Sequence, residues 1–98
     1  MTLELVKSLA AENDLIDIWI YSFDNWGVVQ ADKYLDYLNE GFEFMASNPL
    51  VGANCDEIRA SYFSYPIKRH LVFYKIESEK LKVVRVLGAD MNHIDHFQ

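Results

Sequence analysis

Apolar and polar positions alternate with one period before Gly52 and with another after it. At the start, Leu3 and Leu5 alternate with Thr2 and Glu4, so Thr2 to Lys7 reads as a short edge strand. Ser8 is placed to cap a helix, with Glu12 and Asp14 putting negative charge in its early turns. Leu9, Leu15, Ile16, Trp19, Ile20, Phe23 and Trp26 then recur at helical spacing and predict a first amphipathic helix, ended by Gly27 in a left-handed conformation. The second helix has a cleaner pattern. Ala31, Tyr34, Leu35, Leu38, Phe42 and Met45 follow a three-four spacing, with Asp32, Lys33, Asp36, Asn39, Glu40 and Glu43 opposite, and "SNPLVG" stops it through Pro49 and Gly52. The short link predicts an antiparallel helix hairpin.

After Gly52 the period falls to two. Asp56 to Ala60, Tyr62 to Ile67, His70 to Glu77 and Leu81 to Leu87 read as successive strands, with "ESEK" as a hairpin turn between the last two. His70 to Ile76 is apolar on both faces, Leu71 and Phe73 on one and Val72, Tyr74 and Ile76 on the other, which suits a central strand. The last strand sets Leu81, Val83, Arg85 and Leu87 against Lys82, Val84 and Val86, so Arg85 interrupts an apolar stripe. The predicted fold class is α+β: a short N-terminal strand and an α-helical hairpin packed on a small, mainly antiparallel sheet, as a single domain over 1–98.

Composition adds limits. An apolar fraction of 51% and an aromatic fraction of 14% describe a globular chain, and no repeat or linker divides it. The lone Cys55 and an opening MTLELVKSLA without a basic start or long apolar run lead us to expect a reducing, cytoplasmic setting. No apolar run approaches the ~20 residues of a membrane span, so no membrane association is expected. Nine Lys and Arg against fifteen Asp and Glu give a net charge of −6, which argues against direct nucleic-acid binding.

Few residues suggest chemistry. His93, Asp95 and His96 cluster in the tail "MNHIDHFQ", but a zinc site needs three or four supported ligands, and neither metal nor cofactor is expected. Cys55 stands beside Asp56 and Glu57, whose charge opposes a thiolate. No GxSxG elbow, phosphate-cradling glycine loop or HExxH helix occurs, and no catalytic residue is assigned. The three arginines, Arg59, Arg69 and Arg85, all fall in the sheet half, where each either grips an anionic partner segment or pairs internally with an acid such as Asp56 or Glu57. Trp19, Trp26, Phe42 and Phe44 lie on helices and are expected in the core or in helix–helix packing. Tyr62, Phe63, Tyr65, Phe73 and Tyr74 crowd the strands, and some must face away from the helices. We therefore take Arg59, Arg69, Arg85, Tyr62 and Tyr74 as candidate partner-binding residues.

The order "DLIDIWIYS", "WG" before "QADKYL", "NPLVG" ahead of "DEIR", "HLVFY" and "RVL" resembles the ParE branch of the RelE/ParE toxin superfamily, from about Leu5 to Met91. The resemblance implies a helix hairpin on a small sheet and a toxin of a bacterial type II toxin–antitoxin pair, of the kind linked to plasmid stabilisation. It also implies DNA gyrase as the target, a ParD-like antitoxin that wraps a partly disordered segment around the toxin, and a toxin–antitoxin hetero-oligomer. RelE-like relatives are instead ribosome-dependent messenger-RNA endonucleases. In their pattern an arginine leads into the "LVY" strand, where this chain has His70, and a basic residue follows the last strand, where it has Asp90. ParE-like sequences carry "RVLH" and then basic residues, and there Gly88 and Asp90 remove imidazole and positive charge, which bears on gyrase engagement. Lys68, Arg69 and His70 thus read as a strand entrance and binding patch. The readings carried forward are a non-enzymatic gyrase toxin, a messenger-RNA endonuclease, and a degenerate toxin that binds only its antitoxin.

Overall fold

The computed structural model describes residues 2–91 and 94–97. Strand β1 (Glu4–Lys7) leads into helices α1 (Leu9–Trp26) and α2 (Val28–Ser47), followed by β2 (Ala53–Asn54), β3 (Tyr62–Ile67), β4 (His70–Glu77), β5 (Lys80–Gly88) and a 3-10 turn at Ile94–Phe97. The strands form one sheet in the order β1-β5-β4-β3-β2, antiparallel except for β1 against β5. The predicted α+β fold class, with its edge strand and helix hairpin, is the observed one.

Each helix end has a local cause. Ser8 Oγ accepts the Ala11 N–H at 3.0 Å and donates to the Val84 carbonyl at 2.7 Å, so one hydroxyl caps α1 and ties it to β5. Gly27 alone joins the helices: its N–H bonds the Phe23 carbonyl and its own carbonyl accepts from Ala31. Its φ is positive, as expected, but φ 88° with ψ 175° is an extended, glycine-only conformation rather than a left-handed helical one. Asn48 ends α2, its backbone N–H and its side chain both bonding the Phe44 carbonyl.

On the helix side of the sheet, Leu38, Phe42 and Met45 of α2 and Ala11 and Ile18 of α1 pack on Ile67, Val72, Tyr74, Leu81, Val83 and Val86. The predicted α2 face is therefore correct. The predicted α1 face is not. Ala11, Ile18 and Ser22 are buried, with Leu15 packed against the core, while Leu9, Ile16, Ile20, Phe23 and Trp26 are exposed. Phe42 is buried and Trp19 half-buried as expected, whereas Phe44 is exposed like Trp26.

Two further corrections concern strands. Asp56 to Ala60 is a turn, because Asn54 Oδ1 takes the Asp56 N–H at 2.9 Å and Asp56 Oδ1 takes the Ser61 N–H at 3.0 Å, side-chain bonds that compete with a ladder. In β5 the register slips: Phe73 pairs with Arg85 but Tyr74 pairs with Val83, so Val84 is a bulge. The bulge puts Val86 with Leu81 and Val83 toward the helices, and Leu87 with Phe73 on the opposite face. That outer face is covered by Cys55 and Ile58 from the loop and by Phe97 from the C-terminal turn. Burial on both faces is why β4 reads as an unbroken apolar run. No described helix is long and apolar enough to cross a membrane.

Candidate functional site

β1 pairs with β5 only as far as Val83, so the later N–H groups of β5 on that edge need other partners. Asp14 of α1 supplies one. Its Oδ2 accepts from Val86 N at 2.9 Å and from Arg85 Nε at 2.7 Å, while Oδ1 accepts from Arg85 Nη2 at 2.9 Å. This fork-on-fork pair holds the Arg85 guanidinium in its charged form, its pKa raised chiefly by the Asp14 hydrogen bonds. Arg85 Nη1 also donates to the His96 carbonyl at 3.1 Å.

Between this pair and the β3–β4 turn runs a groove of about 830 Å³, walled by α1, the start of α2, the end of β5 and the C-terminal turn. Ile18, Tyr21 and Trp26 form its apolar wall, and Arg69, Asp17 and Asp90 stand around it. Tyr34 and His70 close its end, with Tyr34 Oη 2.6 Å from His70 Nδ1. The same hydroxyl oxygen accepts the Arg69 N–H at 3.2 Å. Burial lowers the His70 pKa, partly offset by the charges of Asp90 and then Asp14. Burial likewise raises that of Tyr34, against the Arg69 backbone N–H and guanidinium. Burial thus favours a neutral imidazole and an intact phenol, joined by the Tyr34–His70 hydrogen bond.

The candidate arginines do not form one patch. Arg69, exposed at the β3–β4 turn, and Arg85 line the groove, although Arg85 is already paired with Asp14 rather than with the acids near Arg59. Arg59 lies elsewhere, its Nη2 donating to the Phe97 carbonyl at 2.6 Å. Tyr62 is half-buried and meets the Phe97 ring edge-on at 5.8 Å. Tyr74 has no exposed surface: it belongs to the helix-side core, where its hydroxyl donates to the Pro49 carbonyl at 2.8 Å and accepts from Gly52 N at 3.0 Å. It cannot meet a partner directly, because strand alternation turned it inward. Lys68 stands over the Tyr37 ring at 4.3 Å. Sequence reasoning missed Asp14 and Tyr34 as site residues. The one available signal was an acid next to the core stripe of Leu15 and Ile18. Among the described residues no group of three or more His, Cys, Asp or Glu is placed to hold a metal. The tail trio rests on His93, outside the described residues.

Residues 5–93 match the family model described as the ParE toxin of the type II toxin–antitoxin system, parDE. The chain belongs to the ParE toxin family. As a type II toxin–antitoxin toxin it has close curated relatives. It is 39% identical over 93 residues to Toxin ParE1 of Mycobacterium tuberculosis, covering 94% of this chain and 95% of that one. With Toxin ParE1 of Caulobacter vibrioides it shares 37% over 89 residues, covering 91% and 92%. Among solved structures, the ParE-family fold is similar to a chain of the chromosomal ParDE system from P. aeruginosa, with TM-score 0.80 at 13% identity over 91% of this chain and 98% of that one. A chain of the RelBE2 toxin–antitoxin complex from Mycobacterium tuberculosis superposes with TM-score 0.68 at 20% identity, over 90% and 99%. At such identities these two likenesses speak to the fold alone.

Proposed function

We propose that this ParE-family toxin acts by binding DNA gyrase rather than by catalysing a reaction, and that a ParD-like antitoxin neutralises it in a hetero-oligomeric complex. The observation that supports a binding role is the commitment of two of the three arginines and of His70. Phosphodiester cleavage needs positive groups free to hold a phosphate and the charge that develops on it. Arg85 is forked onto Asp14, Arg59 is bound to a backbone carbonyl, and His70 is neutral and hydrogen-bonded to Tyr34. Among the described residues Arg69 is then the arginine whose guanidinium has no such hydrogen bond, and it faces a groove that also carries Asp17 and Asp90. That balance disfavours a polyanion and suits a polypeptide, whose apolar side chains fit against Tyr21 and Trp26. The antitoxin half of the proposal rests on family membership.

The test is a supercoiling assay with purified gyrase and purified toxin, beside primer extension on messenger RNA after induction. The expected result is loss of supercoiling with accumulated cleaved DNA and intact transcripts, reversed by a ribbon-helix-helix antitoxin from the neighbouring gene. Ribosome-dependent cuts with gyrase unaffected would overturn the proposal in favour of an endonuclease. His70→Ala is expected to keep its toxicity.

A further inference from the structure

The apolar residues that α1 turns away from the core are not scattered. At about 100° per residue, Leu9, Ile16, Ile20 and Phe23 fall within roughly 60° of one another on the helix circumference, and the row they make is about 21 Å long. Their relative exposures are 73, 57, 47 and 46%, and the apolar surface continues across the helix junction through Val28 and Val29 at 50 and 78%. The Trp19 ring stacks on Phe23 at 5.3 Å and is fixed by its Nε1 bond to Asp32 at 2.9 Å, so part of the row is held rigid. A single exposed leucine needs no explanation, whereas an ordered apolar row of this length on a domain this small marks an interaction surface.

Charge decides what can cover it. Residues 8–47 contain eight acids and a single basic residue, Lys33, whereas residues 48–98 contain six acids and seven Lys or Arg. The whole stretch from Ser8 to Asp32 has no Lys, Arg or His. Asp17 and Asp24 flank the row on one side and Glu12 on the other, all exposed. A second copy laid on this face would bring those acids against their own equivalents as water is excluded, which opposes self-association. An anionic lipid surface and a nucleic acid are repelled for the same reason. A helix with an apolar seam and basic flanks meets both requirements, burying the row and pairing the acids. We infer that the outer face of α1 is a docking surface for an amphipathic α-helix of another polypeptide, apolar along its seam and rich in Lys and Arg on both flanks. The inference does not depend on gyrase being the target.

The probe is a synthetic 18-residue helix with a leucine seam and lysine flanks, titrated calorimetrically into the intact toxin. Its Glu-flanked counterpart and a Lys/Leu peptide of scrambled order serve as comparisons. One cationic helix is expected to bind per chain, the Glu peptide not to bind, and the scrambled peptide to bind at least about tenfold more weakly. Ile16→Asn/Ile20→Asn, at positions outside the core, should weaken the cationic helix by about tenfold, or 1.4 kcal/mol, with an unchanged melting curve. Glu12→Lys/Asp24→Lys should exchange the preference toward the Glu peptide. Equal binding of ordered and scrambled peptides, or full binding by the double asparagine variant, would reduce the surface to bare charge attraction and overturn the inference. Self-association in ultracentrifugation that the double asparagine variant abolishes would also overturn it, by assigning the row to a second copy.

Discussion

Removal of the Asp14 carboxylate tests how α1 is attached to the sheet. Asp14→Ala deletes three hydrogen bonds at once, two from the Arg85 guanidinium and one from Val86 N. The backbone N–H lies on the β5 edge beyond β1, and stranding it is expected to cost about 1–3 kcal/mol. The ion pair is mostly but not wholly withdrawn from water, with side-chain exposures of 22% for Arg85 and 13% for Asp14. Its loss should therefore fall below the ~3–5 kcal/mol of a fully buried pair, at about 1–2 kcal/mol. Together about 3 kcal/mol should disappear, a large share of the roughly 5–15 kcal/mol that holds such a domain. Urea unfolding of wild type, Asp14→Ala, Arg85→Met and the double variant measures it. The cycle should return a coupling of about 1–2 kcal/mol, since Arg85→Met leaves the Val86 bond in place. A loss under about 0.5 kcal/mol for Asp14→Ala, or additive single effects, would refute the claim that this carboxylate anchors the edge.

Four other outcomes follow from contacts elsewhere in the fold. Because burial depresses the His70 pKa, the unfolded chain binds the proton more readily, so this residue's contribution is complete above the ordinary histidine pKa of about 6.5 and is lost as pH falls toward the folded value; stability should rise with pH there, and His70→Gln should flatten the profile. Asp90→Asn removes a charge that offsets that burial, and should move the His70 titration, followed by NMR, further down. Tyr74→Phe strands the Pro49 carbonyl and Gly52 N–H and should destabilise by about 1–3 kcal/mol in urea unfolding. A Cβ at Gly41 would collide with Ile67 Cδ1 and approach Cγ1 to 2.9 Å, so Gly41→Ala should cost about 1–3 kcal/mol, with a smaller loss when measured in an Ile67→Val background.

What the sequence by itself determined is local. The α2 face, the bounds of β3 and β4 and the Ser8 cap were legible because each rests on neighbours within a turn or on a polar side that has no rival. Helix α1 carries two apolar stripes at the same period, one through Ala11, Leu15 and Ile18 and one through Leu9, Ile16 and Phe23. Periodicity cannot rank them, and bulk pointed to the wrong one: the stripe with Ala11 and Ser22 is the buried one. The bulge at Val84 left no mark in a run of valines, yet it moved Val86 onto the helix side of the sheet, and the Ser8 hydroxyl that serves its carbonyl lies 76 residues away. The groove was equally out of reach. Asp14 meets Arg85 across 71 residues and Tyr34 meets His70 across 36, distances over which only the packing of the hairpin on the sheet decides which charge finds which partner. Strand alternation assigned Tyr74 a face, but which face is core depended on where the helices settle, because β4 is apolar on both.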